Sequence, residues 1–188
     1  MKVLGISGSL RQGSHNAKLL RTAAELLPPS VELVVFDSLK AVEPYDQDDD
    51  RGGGPVGAGR LREAIESADA VLIATPEYNH SIPGVLKNAI DWASRPKAEA
   101  ALKNKPVAVI GASTGMFGAV WWQAEVSKVL GAAGARVIDE ELPVGHADEA
   151  FTDDDRLADQ ELRDRYRDIL DQLASEAEQV AATERVAA

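Results

Sequence analysis

The residues best equipped for chemistry fall in three short stretches. The first, Gly8-Ser9-Leu10-Arg11-Gln12-Gly13-Ser14-His15-Asn16, combines small residues with two seryl hydroxyls, a guanidinium and a carboxamide. Hydroxyls and an amide donate neutral hydrogen bonds and an arginine donates a charged fork, so the set matches a dianionic phosphate monoester. The competing reading makes Ser14 or Asn16 a plain N-cap of the helix that follows. The Gly8 to Gly13 spacing imitates the start of a nucleotide-triphosphate P-loop, yet Ser14-His15 stand where that motif needs Lys and then Ser or Thr. An ATPase or kinase reading fails there. The glycines at 5, 8 and 13 do not make a G-x-G-x-x-G dinucleotide fingerprint either.

The second stretch, Pro76-Glu77-Tyr78-Asn79-His80-Ser81-Ile82-Pro83, is a polar loop held between two prolines. Each fixes its own φ and biases its predecessor to extended backbone, so the loop is shaped in advance. The alternative is an ordinary connection whose Glu and Asn face water. The third, Ala112-Ser113-Thr114-Gly115-Met116-Phe117-Gly118, offers small residues that let a flat ring approach the backbone. A fourth cluster, Asp46, Asp48 and Asp50, imitates the opening of a calcium loop, but Arg51 replaces its glycine and Gly57 its bidentate glutamate. It reads as a solvated charge run. The whole connection 37–59 is expected to be solvated and mobile, long enough for a functional loop or flap.

These stretches need elements to position them. Apolar runs predict strands at Val3–Ile6, Val31–Phe36, Val71–Ala74, Val107–Gly111 and Ala135–Ile138. Helical spacing predicts helices over 17–27, 61–67, from Gly84 onwards, 119–133 and 156–180, with a loop around Pro143–Ala147 and a frayed tail at 181–188. Alternating strands and helices call for a parallel sheet covered on both faces. The expected fold is therefore one flavodoxin-like domain over 1–188: a three-layer α/β/α sandwich on a five-stranded parallel sheet, order 2-1-3-4-5. In that order the loops after strands 1, 3 and 4 meet at the carboxyl end of the sheet, joining a phosphate cradle, a rigid polar wall and a small-residue face. FMN suits all three.

Composition narrows the partners. The chain has 188 residues, 45% hydrophobic, and a formal charge of −11, which argues against nucleic acid or an anionic membrane as the main partner. It has no cysteine, excluding disulfides and thiolate chemistry. Met1-Lys2 leads straight into a strand without an apolar leader, and no run reaches membrane-spanning length, so a soluble cytoplasmic protein is expected.

The segments Gly8-Ser9-Leu10-Arg11, Gly13-Ser14 and Asn16, Thr75-Pro76-Glu77-Tyr78-Asn79, and Pro83-Gly84 with Leu86-Lys87-Asn88-Ala89-Ile90-Asp91-Trp92 resemble the NADPH-dependent FMN reductase family of flavodoxin-like quinone, chromate and azo-dye reductases. The similarity runs through Gly145-His146-Ala147. It implies FMN as cofactor, NADPH or NADH as co-substrate and a small-molecule electron acceptor, by a two-electron ping-pong scheme. By the same resemblance Ser9, Arg11, Ser14 and Asn16 hold the FMN phosphate, Pro76, Glu77, Tyr78 and Asn79 line the ring, and Ser113 meets its far edge, with Leu10, His15 and Gly115 also expected in the cofactor-binding set. No catalytic side chain and no metal is called for, because the flavin carries the chemistry. A homodimer or homotetramer is implied, and Trp92, Trp121 and Trp122 are expected near the ligand end; the adjacent pair cannot both face inward, and the outer one reads as ordinary packing ahead of a ligand or subunit surface. Many members carry a small residue and then an arginine where this chain has Ala119-Val120-Trp121-Trp122. A flavodoxin-like electron carrier would share the fold, the cofactor and the acidity; turnover of NAD(P)H separates the two.

Overall fold

The computed structural model describes residues 1–116 and 120–187. Its strands are β1 (Lys2–Ser7), β2 (Glu32–Phe36), β3 (Ala70–Ala74), β4 (Pro106–Ala112) and β5 (Arg136–Val144). They alternate with α1 (His15–Leu26), α2 (Val56–Glu66), α3 (Gly84–Ala93), α4 (Val120–Ala132) and α5 (Gln160–Ala187). All four strand pairings are parallel, in the order β2-β1-β3-β4-β5. The flavodoxin-like expectation is met.

The central strands carry no polar alternation because both faces are covered. β3 and β4 are buried along their whole length. On one face α1 and α5 close over Val3, Leu72 and Ile110, with Leu19, Ala23, Tyr166, Leu170 and Leu173 supplying the helical side. On the other, Leu61, Ile65, Leu86, Ile90 and Leu130 pack on Leu4, Ile6, Ile73 and Val109.

Several boundaries differ from the expected ones, each for a local reason. β5 continues to Val144, so Pro143-Val144 are strand and not loop. Its register jumps from Val107↔Val137 to Val109↔Glu141. That bulge absorbs the polar run Asp139-Glu140-Glu141, which ends the apolar pattern in the sequence. α5 runs on to Ala187 where a frayed tail was expected, since nothing in 160–187 is Gly or Pro. α2 begins at Val56, a turn and a half before the predicted start, hidden by Gly57 and Gly59. A Cβ on Gly57 would lie 2.1 Å from the Ala41 carbonyl oxygen, so glycine is what lets that turn pack.

The connection before α2 exposes Asp46, Asp48, Asp49, Gly52 and Gly53 to solvent as expected, but it is pinned at several points. Glu43 caps α2, its carboxylate accepting from the Gly57 and Ala58 amides at 3.2 and 3.3 Å. Backbone amides, its own and then that of Gly57, hold its carboxyl below the usual range. The Glu43 carbonyl accepts from Trp92 Nε1 at 2.7 Å and from Asn88 Nδ2 at 2.9 Å. Arg62, only 8% exposed, donates to Asp50 at 2.7 Å and to the Gly53 and Trp92 carbonyls, each at 3.0 Å. One member of the acidic cluster thus serves as a counter-ion. Trp92 is fully buried in this network, with Tyr45 edge-on to it at 4.9 Å, so it is a core residue and not part of a subunit surface.

Candidate functional site

At the carboxyl end of the sheet the chain leaves β1 through Gly8, whose amide donates to the Ala74 carbonyl of β3 at 2.8 Å. A Cβ there would sit 2.1 Å from Thr75 Oγ1, so only glycine lets the loop lie this close to β3. Ser9 Oγ accepts from the Arg11 amide at 3.3 Å and shapes the turn. Ser14 is the N-cap of α1, its Oγ accepting from the Asn16 amide at 3.2 Å. The cap and the anion readings are compatible: the Ser14 hydroxyl hydrogen is still available to donate, and the first amides of α1 open on the same spot.

A cleft of ≈ 270 Å³ lies between these loops, close to the lower end of small-molecule pockets at about 300 Å³. Ser9, Arg11, Ser14, His15 and Asn16 line it from the first loop and Pro76, Glu77 and Tyr78 from the second. Ala112, Ser113 and Thr114 close it from the end of β4, and Asp148 from beyond β5. Nine of the twelve expected residues therefore converge on one cleft.

Three do not line it. Leu10 points outward at 44% exposed, and Asn79 lies in an exposed left-handed turn (φ 54°) beyond the wall. Gly115 donates its amide to Ser113 Oγ at 3.2 Å and accepts from the His146 amide at 3.2 Å, so it braces the third loop against the segment after β5. Gly145 permits that contact, since a Cβ on it would come within 2.6 Å of the Met116 carbonyl oxygen. The side chains of Trp121 and Trp122 lie outside the described residues.

Asn16 has a structural partner besides its place in the cleft lining. Its Oδ1 accepts from the Ala112 amide at 2.9 Å and its Nδ2 donates to the Ala112 carbonyl at 3.1 Å. The carboxamide thereby fixes the first loop against the end of β4 and keeps a second N–H free to donate. His15 Nε2 lies 3.1 Å from Asp148 Oδ1, with the ring stacked on Phe151 at a centroid distance of 5.9 Å. Asp148 was missed by the sequence reading, while Ala112 and Thr114 fall within the third stretch it singled out. The signal for Asp148 was present, because the loop after strand 5 must also open at this end of the sheet.

The second loop is a tight turn. Tyr78 and Ser81 exchange two backbone hydrogen bonds of 3.1 Å, and Asn79 and His80 both have positive φ, 54° and 59°. Left-handed backbone at non-glycine residues costs about 1–3 kcal/mol each and gathers at functional sites. The turn folds His80 Nδ1 back to 3.2 Å from Glu77 Oε1. Ser81 Oγ then ties the loop to Glu125 of α4 at 2.9 Å.

The electrostatics favour an anion with donors of its own. Arg11 is the cationic side chain of the lining without an ion-pair partner among the described residues, in a chain of net charge −11. Two buried side-chain atoms lack a hydrogen-bond partner among the described residues, His15 Nδ1 and Glu77 Oε2, and both belong to residues of this cleft. Unpartnered buried polar atoms are rare in native proteins and mark places where something else binds.

The profile of the NADPH-dependent FMN reductase family matches residues 1–149. The chain belongs to this family. It is 42% identical over 174 residues to an NAD(P)H-dependent FMN reductase of Pseudomonas aeruginosa, covering 92% of this chain and 93% of that protein. A quinone reductase of Escherichia coli is 40% identical over 131 residues, 69% of each chain. Among solved structures, FerB, a flavoenzyme NAD(P)H:(acceptor) oxidoreductase of Paracoccus denitrificans, superposes with a TM-score of 0.82 at 34% identity, over 95% of this chain and 97% of FerB. As an FMN reductase family member the protein is an oxidoreductase, with FMN as its cofactor and NAD(P)H as its reductant. The cleft fits that cofactor. Hydroxyls, a guanidinium and a helix N-terminus stand at one end, and the small residues Ala112, Ser113 and Thr114 face the stiff loop at the other.

Proposed function

We propose that the cleft is a single site in which NAD(P)H and a quinone or similar flat acceptor take turns. Arg11, Ser9, Ser14 and the opening amides of α1 hold the flavin phosphate, the first through charge and the others through donated hydrogen bonds. Pro76 and Tyr78 supply one wall for the ring and Ala112 to Thr114 the other. The chemistry FMN supplies when bound is two-electron transfer from NAD(P)H to the acceptor. The observation that carries the reading is convergence: the three loops meet in one cleft that also gathers the two unpartnered buried atoms.

A cytoplasmic homodimer belongs to the same proposal. Leu10, Tyr78 and Met116 are exposed by 44, 52 and 65%, one on each loop around the cleft, and aromatic and methionine side chains of this kind favour subunit interfaces. No helix among the described residues is long and apolar enough to cross a membrane. NAD(P)H is a soluble reductant of the cytoplasm, which supports that placement.

Anaerobic stopped flow tests the function. Holoprotein mixed with NADPH, and separately with NADH, is expected to lose its flavin absorbance, and a quinone added next to restore it, with parallel-line steady-state kinetics. No bleaching with either donor overturns the reading in favour of an electron carrier. Light scattering that shows only a 20.0 kDa species at micromolar concentration overturns the dimer.

A further inference from the structure

We propose that Glu77 and His80 form a proton relay from solvent to the acceptor, an inference that rests on the quinone-reducing function just given. The reaction requires one. When NAD(P)H reduces a quinone, the nicotinamide C–H bond breaks with its electron pair, so two electrons and one hydrogen reach the acceptor. The second hydrogen arrives as a proton, and both quinone carbonyls end as O–H. The sum NAD(P)H + H⁺ + quinone → NAD(P)⁺ + hydroquinone balances only with that proton.

Among the titratable groups of the cleft, Glu77 is placed to deliver it. Arg11 does not give up its proton in proteins. His15 stands beside Ser14 at the phosphate end and is engaged by Asp148 at 3.1 Å. Glu77 stands on the opposite, ring-facing loop, with its side chain 14% exposed. Its Oε2 is buried without a partner, while Oε1 faces His80 Nδ1 at 3.2 Å. The His80 side chain is 83% exposed, so the pair reaches from bulk water to the cleft wall across one 3.2 Å contact. The imidazolium passes its Nδ1 proton to Glu77 and takes another from water. The Glu77 carboxyl turns and releases its proton to the reduced acceptor's oxygen, which completes the O–H bond.

The strained turn serves this arrangement. Two successive left-handed residues, Asn79 and His80, locked by the paired Tyr78 and Ser81 backbone bonds, bring the imidazole over the carboxylate. The other ionisable groups facing the pair are Tyr78 of the same loop, Glu125 of α4 through Ser81, and Arg11, His15 and Asp148 across the cleft.

The test compares two acceptors on reduced holoprotein. A quinone takes up protons with its electrons, whereas hexacyanoferrate(III) takes electrons alone. In Glu77→Gln and in His80→Gln the ratio of quinone to hexacyanoferrate(III) reoxidation rates is expected to fall at least about tenfold, below the 10²–10⁴-fold typical of general acid catalysis because water also reaches the cleft. FMN affinity, measured by titrating each apoprotein, identifies a variant whose cleft is damaged. Should Glu77→Gln lose FMN, His80→Gln carries the test alone. Equal slowing with both acceptors, or an unchanged ratio, overturns the relay while the reductase function stands. Wild-type protein that NADPH does not reduce overturns the function itself, and the relay with it.

Discussion

Asn16 and Ala112, 96 residues apart, form a closed pair: the carboxamide of one accepts from and donates to the amide and carbonyl of the other, at 2.9 and 3.1 Å. This bond fastens the loop at the start of α1 to the end of β4, so two sides of the cleft hold one geometry. Asn16→Ala leaves both Ala112 groups buried and unpaired. The expected loss is about 2–6 kcal/mol of unfolding free energy, at 1–3 kcal/mol for each stranded group, readable in urea denaturation of the apoprotein. FMN affinity is expected to fall with it, although the side chain does not need to touch the cofactor.

Arg11→Ala separates affinity from stability. The Arg11 side chain makes no hydrogen bond or ion pair among the described residues and is exposed, so the denaturation midpoint is expected to hold. A hydrogen bond to a charged group contributes about 1.5–3 kcal/mol, so FMN binding to the apoprotein is expected to weaken roughly tenfold to a hundredfold. Riboflavin, which lacks the phosphate, serves as the control and should bind both proteins alike.

Arg62→Ala addresses the tied-down connection before α2. It strands the Asp50 carboxylate, 14% exposed, together with the Gly53 and Trp92 carbonyls. Breaking a buried pair from one side costs about 3–5 kcal/mol. Limited proteolysis is expected to cut the Gly52-Gly53-Gly54 segment faster in the variant than in wild type.

Tyr166 gives the protein an alkaline limit. The residue is fully buried, its hydroxyl donating to the Leu19 carbonyl at 3.0 Å, and burial pushes its ionisation well above the usual phenol range. Below about pH 10 the phenol is protonated in both folded and unfolded chains and its contribution is fully present. As pH rises beyond that, the unfolded chain releases the proton first, so stability falls. Tyr166→Phe is expected to lose about 1 kcal/mol at neutral pH and to flatten the decline above pH 10 in denaturation curves taken across pH.

Much of this was legible in the sequence because the central strands carry a short-range signal. Val71–Ala74 and Val107–Gly111 are apolar on both faces, which only a covered parallel sheet permits, and the order of elements then sends three loops to one end. What the sequence hides has a shared physical origin in long-range partners. That Asn16 is bonded to Ala112, that Trp92 is a core donor to Glu43, and that Asp50 balances Arg62 all depend on residues 12 to 96 positions away. The bulge in β5 and the glycine-masked start of α2 are tertiary solutions to local patterns that point elsewhere.

The irregular fifth strand has a bearing on how copies of the protein meet. An outermost strand presents unpaired amides and carbonyls to any passing chain, and a flat one invites a further strand to add. Here that rim is kinked by the bulge, carries Asp139, Glu140 and Glu141 in succession, and lacks an amide at Pro143. Burial, and then the neighbouring Asp139, raise the Glu141 carboxyl above its usual range, so these carboxylates crowd one another. A second copy docking here would meet its own charges and no continuous ladder. The sheet is thereby finished at five strands on this side, and this edge is protected against growth strand by strand into a fibre.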